Sequence, residues 1–192
     1  MAQRLIVATA NAGKAREFKK MLPAFDVCCF ADLGVHCDVE ETGTTFYENA
    51  LIKAKAAAEL FPHDFVLADD SGLEVDALGG APGVYTARYA GEGASDDENI
   101  AKLLIALNGE ENRRARFVCR LVLLSPDGKI TSVQGESEGR ILYEKRGEDG
   151  FGYDPVFFSE DLKKGFGECS EEEKNTVSHR GRALRKLMEI LR

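Results

Sequence analysis

The chain has 192 residues and a formal net charge of −8, with 44% apolar and 30% charged side chains, the proportions of a soluble globular protein. That length suits a single domain over residues 1–192, with a core large enough to need no staples. The acidic balance argues against a general nucleic-acid binder, and no apolar run approaches the ~20 residues that span a bilayer, so neither nucleic acid nor membrane is an expected partner.

Arg4–Thr9 is a short apolar run that reads as a buried strand. Helix formers over Gly13–Leu22 are halted by Pro23, and Phe25–Phe30 reads as a second strand. Thr45 and Glu48 make a T-x-x-E capping box, which opens a helix running through the alanines to about Leu60. On that helix Phe46, Asn49, Ala50, Lys53 and Ala57 share one face. A third strand is expected over Phe65–Ala68, ending where Asp69 begins a polar stretch. Gly79–Gly83 reads as a turn or loop, and Ser95 with Glu98 opens another capped helix that ends near Asn108 and Gly109. Arg116–Leu124 and Lys129–Gly139 flank Pro126-Asp127-Gly128, a hairpin signal. From Ser178 onward, Ala183, Leu184, Leu187, Met188 and Leu191 fall on one helical face. Strand–helix alternation followed by a hairpin predicts an α/β fold with a mixed sheet. Cysteines at 28, 29, 37, 119 and 169 are odd in number and make no CxxC pair. That pattern points to thiols in a reducing compartment. The run Leu5–Ala8 is too short for a signal-peptide core, so a cytoplasmic location is expected.

Five segments carry residue types suited to chemistry. Thr9-Ala10-Asn11-Ala12-Gly13-Lys14 joins the first strand to the first helix, where free backbone N–H groups and the positive end of the helix dipole suit phosphate. Lys14 adds a cation there, and Thr9 and Asn11 add hydrogen-bonding groups. An ordinary strand–helix turn with a surface lysine explains the segment equally well. It is not a Walker A loop, for it lacks the first glycine and has Ala15 where Ser or Thr would hold magnesium.

In Ala68-Asp69-Asp70-Ser71-Gly72, adjacent carboxylates beyond a strand end can hold magnesium or orient a water. The alternative is a polar turn, but adjacent like charges repel unless a cation is near. Glu40-Glu41-Thr42-Gly43 either completes a metal site or is a solvated acidic loop. Lys53, on a partly apolar helix face, calls for an anion unless its stem snorkels. In Gly150-Phe151-Gly152-Tyr153-Asp154-Pro155 the aromatics can stack on a base and Asp154 can accept from base or sugar; a loop packed on the core is the plainer reading. Lys174, His179 and Arg180 gather donors near a helix start capped by Ser178. That end of a helix disfavours cations, so their placement asks for an anionic or carbonyl partner.

In this order, TANAGK (9–14), EETGTTFYENALIKA (40–54), ADDSGLEVDALGGAPGVYTARYAG (68–91), GFGYDPVF (150–157) and EEKNTVSHRGRAL (172–184) resemble the inosine triphosphate pyrophosphatase family, hydrolases of noncanonical purine nucleotides. The likeness runs almost end to end, apart from roughly residues 109–148. It implies a mixed, twisted sheet with flanking helices, in two lobes about a central cleft. It further implies a homodimer, magnesium (Mg2+) as cofactor, and hydrolysis of ITP, dITP and XTP to the monophosphate and pyrophosphate.

Carried over by motif, Thr9, Asn11 and Lys14 contact phosphates. Glu40 and Asp70 bind the metal, with Asp70 also the proton acceptor, and Ser71 touches substrate. Phe151, Gly152, Tyr153, Asp154, Lys174, His179 and Arg180 hold the nucleoside. Lys53, from its helix face, is expected to join Lys14 at the phosphates. A nucleotide sensor that binds without cleaving is the rival from another class, though phosphate binding alone would not need Glu40 with Asp70. A pyrophosphatase for other modified nucleotides is the second rival.

Overall fold

The computed structural model describes residues 3–35, 37 and 39–191. Strand β1 (Gln3–Val7) leads into helix α1 (Ala12–Met21), whose N-cap is Asn11. Strand β2 (Phe25–Cys29) and the one-turn helix α2 (Phe30–Leu33) follow. Helix α3 (Phe46–Leu60) starts at the Thr45/Glu48 capping box, as its spacing predicts. Strand β3 (Phe65–Val75) comes next, and helix α4 (Asp96–Ala106) starts at the Ser95/Glu98 box. Strands β4 (Arg114–Leu124) and β5 (Ile130–Ile141) flank the predicted turn, which Gly128 N closes by donating to Ser125 O at 2.9 Å. Short strands β6 (Phe157–Ser159) and β7 (Lys164–Gly165) precede helices α5 (Glu171–Val177) and α6 (His179–Ile190).

The strands form one seven-stranded sheet in the order β2-β1-β3-β4-β5-β6-β7. β1 runs parallel to both β2 and β3, whereas β6 is antiparallel to β5 and β7. The sheet is therefore mixed, as expected. Most strand and helix ends fall within a few residues of the sequence reading, and that of β3 does not. β3 does not stop at Ala68 but continues through Asp69, Asp70, Ser71 and Gly72 to Val75. Leu73 and Val75 are fully buried, so the apolar alternation resumes after the carboxylates and holds the strand in the core.

The chain forms two compact units. Residues 1–70, 120–134 and 183–192 make the first, and residues 71–119 and 135–182 the second. In the first unit strand alternation sorts side chains to two faces. Ile6, Ala8, Val66, Ala68 and Val122 pack with Ala50, Ala54 and Ala57 of α3. Leu5, Leu67 and Leu123 point the other way and, with Leu187 and Met188 of α6, line an apolar cavity of about 210 Å³. In the second unit Ile100 and Leu103 of α4 join Leu73, Val75, Phe117, Tyr153, Phe157 and Phe166 in the core. Among the described residues the five cysteines form no disulfide, and no helix is long and apolar enough to cross a membrane.

The alanine face of α3 sets how closely this helix approaches the sheet. Ala54 is 0% exposed, so Ala54→Leu forces extra carbons into filled space. A loss of about 1–3 kcal/mol in urea unfolding is expected, whereas Lys55→Ala, on the exposed face, should stay within about 0.5 kcal/mol of the parent.

Candidate functional site

In the first unit the site begins with the alternation of β3. Asp70 follows Val66 and Ala68 onto the face covered by α3, and Asp69 follows Leu67 onto the opposite face. Each carboxylate meets its own lysine. Asp69 Oδ2 lies 2.9 Å from Lys14 Nζ at the start of α1. Asp70 Oδ1 lies 3.1 Å from Lys53 Nζ on α3. The carboxylate side chains are 1% and 8% exposed, and a charge so buried needs a partner. The repulsion between neighbours on the chain is thus relieved by two cations from two helices.

Lys53 Nζ also donates to Glu41 Oε1 at 3.0 Å, so its ammonium joins the acidic loop to β3. Asn49, one turn before Lys53, donates from its amide to Asp70 Oδ2 at 3.3 Å and accepts from Gly43 N at 2.8 Å. Burial pushes the Asp70 carboxyl above its ordinary range, with Lys53 and Lys14 pulling against it. Burial pulls Lys53 down, but the Asp70, Asp69 and Glu41 carboxylates outweigh it and leave the ammonium above its ordinary range. In the β1–α1 loop, Asn11 Oδ1 accepts from Lys14 N at 3.0 Å, and Thr9 Oγ1 accepts from Asn11 N at 3.1 Å. The Thr9 hydroxyl therefore keeps a proton to donate.

Of the acidic pair, it is Glu41 that reaches Lys53, while Glu40 is exposed on the same loop. Sequence reasoning covers Glu41 only as part of the acidic segment 40–43 and gives Asn49 no role beyond its place on the Lys53 face. The signal for Asn49 was a polar residue on the buried face of a capped helix. The Asp70 and Glu41 carboxylates, gathered on one cation, are hard oxygen donors. Magnesium is commonly held by one or two protein carboxylates together with substrate phosphates, so this donor set fits it.

In the second unit a buried ion pair organises the aromatic loop. Lys174 Nζ donates to Asp154 Oδ2 at 2.6 Å, with side chains 4% and 3% exposed. The same oxygen accepts from Phe151 N at 2.9 Å, and the Lys174 ammonium sits 4.6 Å from the Phe151 ring centroid. Gly150 has φ +85°, and a Cβ there would collide with the Asp154 carboxylate, so glycine is required. Gly152 N donates to Asp96 Oδ2 at 2.7 Å. Tyr153 is a core residue whose hydroxyl donates to Thr86 O at 2.9 Å.

Lys174 lies in the last turn of α5, where the helix dipole suits a cation, rather than at a helix start. Its anionic partner is Asp154 of the chain itself. His179 and Arg180 do begin α6, behind Ser178, whose Oγ accepts from Gly181 N at 3.1 Å. Both are buried: His179 stacks on Phe117 with centroids 4.9 Å apart, and Arg180 Nη2 lies 3.4 Å from Ser71 Oγ. The second unit thus gathers Ser71 with Arg180, and Phe151–Asp154 with Lys174.

Lys53→Met keeps the stem but leaves Asp70 and Glu41 without their shared cation. Urea unfolding should show a loss on the order of 3 kcal/mol. A loss below about 0.5 kcal/mol would mean that solvent screens these charges.

Comparison with known proteins agrees with the motif resemblance. A dITP/XTP pyrophosphatase of an Exiguobacterium species is 55% identical over 186 residues, covering 96% of this chain and 94% of that protein. The protein of the same name from Bacillus subtilis is 49% identical over 190 residues, covering 97% and 96%. Among solved structures, the Ham1 protein of Staphylococcus aureus matches with a TM-score of 0.88 and 45% identity, and the HAM1 protein of Coxiella burnetii with 0.87 and 39%; each match covers 98% of both chains. The model of the Ham1 family matches residues 5–190, and the chain belongs to that family.

Proposed function

We propose that the chain hydrolyses noncanonical purine nucleoside triphosphates, dITP and XTP among them, to the monophosphate and pyrophosphate. The observation that carries this reading is the buried Asp70 carboxylate, held by Lys53 beside Glu41, in a chain about half identical to proteins named dITP/XTP pyrophosphatase. Thr9, Asn11, Lys14 and Lys53 hold the phosphates. An arriving triphosphate offers anionic oxygens that compete with Asp69 and Asp70 for the two ammonium groups. Asp70, freed in this exchange, accepts the proton of the attacking water as the bond between the α- and β-phosphates breaks. Asp70 and Glu40, with Glu41 on the same loop, would hold magnesium, which would supply charge neutralisation to the triphosphate.

Ser71, Phe151, Gly152, Tyr153, Asp154, Lys174, His179 and Arg180 serve the nucleoside. His179 and Arg180 are donors, and Arg180 stays charged at neutral pH. Donors aimed at position six of a purine accept a 6-oxo group and are left unmatched by the adenine amine. The working form is read as a cytoplasmic homodimer, a reading supported by the family resemblance.

Pyrophosphate release should be measured on ITP, dITP, XTP, ATP and GTP at equal concentrations. Turnover of the first three well above the last two supports the reading, and nucleotide binding without pyrophosphate release would sink it. Asp70→Asn should lose most turnover while keeping the melting temperature within a few degrees, and chelation of magnesium should abolish activity.

Arg180→Lys tests base readout with less loss of buried volume than truncation. The ITP-to-ATP ratio of kcat/KM should fall by at least ~10-fold, since sites that hydrogen-bond a substrate group discriminate strongly. An unchanged ratio would assign the 6-oxo contact elsewhere.

A further inference from the structure

We infer that Asn49 is a positioning residue for Asp70, and that it locks the acidic loop and the β3 carboxylate into one arrangement. The inference rests on the hydrolase reading above. Asn49 is 0% exposed within α3, although asparagine is a poor helix former. A residue kept against local preference and fully buried needs a compensating role. Its two hydrogen bonds supply one. Gly43 N–H can meet only the amide oxygen, and the Asp70 carboxylate only the amide N–H, so the two partners fix which way the amide points.

Asp70 is gripped at both oxygens from one helix. Oδ2 receives Asn49 at 3.3 Å and Oδ1 receives Lys53 at 3.1 Å. The two donors are four residues apart on α3 and so lie one above the other. This grip sets the rotation of the carboxylate, and hence the direction of the lone pairs left for a proton or cation. The other end of Asn49 holds the loop. At Gly43 a Cβ would come within 2.6 Å of Asn49 Oδ1 and 2.7 Å of Glu48 Cβ, so the loop meets the helix closely only because residue 43 has no side chain. Glu40 and Glu41 lie on the loop tied down here. Alternative side chains fail in identifiable ways: serine is too short, glutamine is one methylene longer, and aspartate lacks the donor.

Two variants separate the two ends of Asn49. Asn49→Ala removes both bonds. It should lower kcat on dITP about 10- to 100-fold, the usual cost of losing a partner that orients a ligand or base. The KM should change much less, and exchange of the Gly43 amide with solvent deuterium should quicken. Asn49→Asp keeps the acceptor for Gly43 N–H but sets a second carboxylate against Asp70. It should keep Gly43 protection and still lose kcat, and it preserves the volume if Asn49→Ala folds poorly.

In the Asp70→Asn background, Asn49→Ala should cost little more, because it acts through Asp70. Wild-type kcat in Asn49→Asp, or losses that multiply in the double variant, would reduce Asn49 to a packing residue and overturn the inference. The exchange arm needs no turnover. Asp70→Asn should itself loosen the Gly43 amide, and unchanged protection there overturns the coupling even if dITP is not the substrate. Wild-type turnover of dITP separately decides the reading on which the inference rests.

Discussion

Two neighbouring carboxylates buried on one strand constrain everything around them in the first unit. Removing a charge from water costs several kcal/mol even after relaxation, so Asp69 and Asp70 persist there only with cations at hand. Strand alternation sends the two side chains to opposite faces, so each takes its direct ion pair from a different helix, while the field of each lysine also reaches the second carboxylate. Two lysines must therefore come from two elements. Lys14 stands at the start of α1, fixed by the Asn11 cap, and Lys53 is delivered by α3. The close seating of α3 on Ala50, Ala54 and Ala57 belongs to the same requirement, because a bulkier face would lift Lys53 and Asn49 away from Asp70.

The second unit solves a similar problem with one pair. Asp154 and Lys174 are almost wholly buried, and the carboxylate also accepts from the Phe151 backbone. The aromatic loop is thereby shaped around an internal ion pair rather than by apolar contact alone. Breaking such a pair from one side is severe, since it leaves a buried charge without its closest counter-charge. The glycine at 150 is the geometric counterpart, giving the carboxylate its room.

Much of this was legible in the sequence where the signal was local. The capping boxes at Thr45 and Ser95 and the turn after Ser125 were read from residues a few positions apart, and they stand where expected. The end of β3 is not legible from the sequence, because two adjacent carboxylates look like a strand break. Paired lysines more than fifteen residues away in sequence made those carboxylates tolerable inside the strand. The pairings of Asn49 and Glu41 are hidden for the same reason: their partners, Asp70 and Lys53, are identifiable only once the helix lies on the sheet. Lys174 belongs to a helix capped by Ser170, not Ser178, and so stands at a helix end that sequence proximity to Ser178 does not indicate. The motif likeness recovered the family without resolving any of these pairings.

The matched ion pairs also bear on how an anion enters and leaves. With each lysine answered by a carboxylate and a net charge of −8, the chain offers a polyanion little attraction from a distance. Salt, which screens such fields over about 8–10 Å, eases the encounter instead of weakening it. Retention is then settled at short range by competition, in which an incoming oxygen must displace an aspartate already in place. On the proposed reading, a triphosphate, rich in charge, would win at both lysines. On the same reading a monophosphate, with fewer oxygens, would lose more readily, so the resting carboxylates would reclaim their lysines and help the spent nucleotide depart.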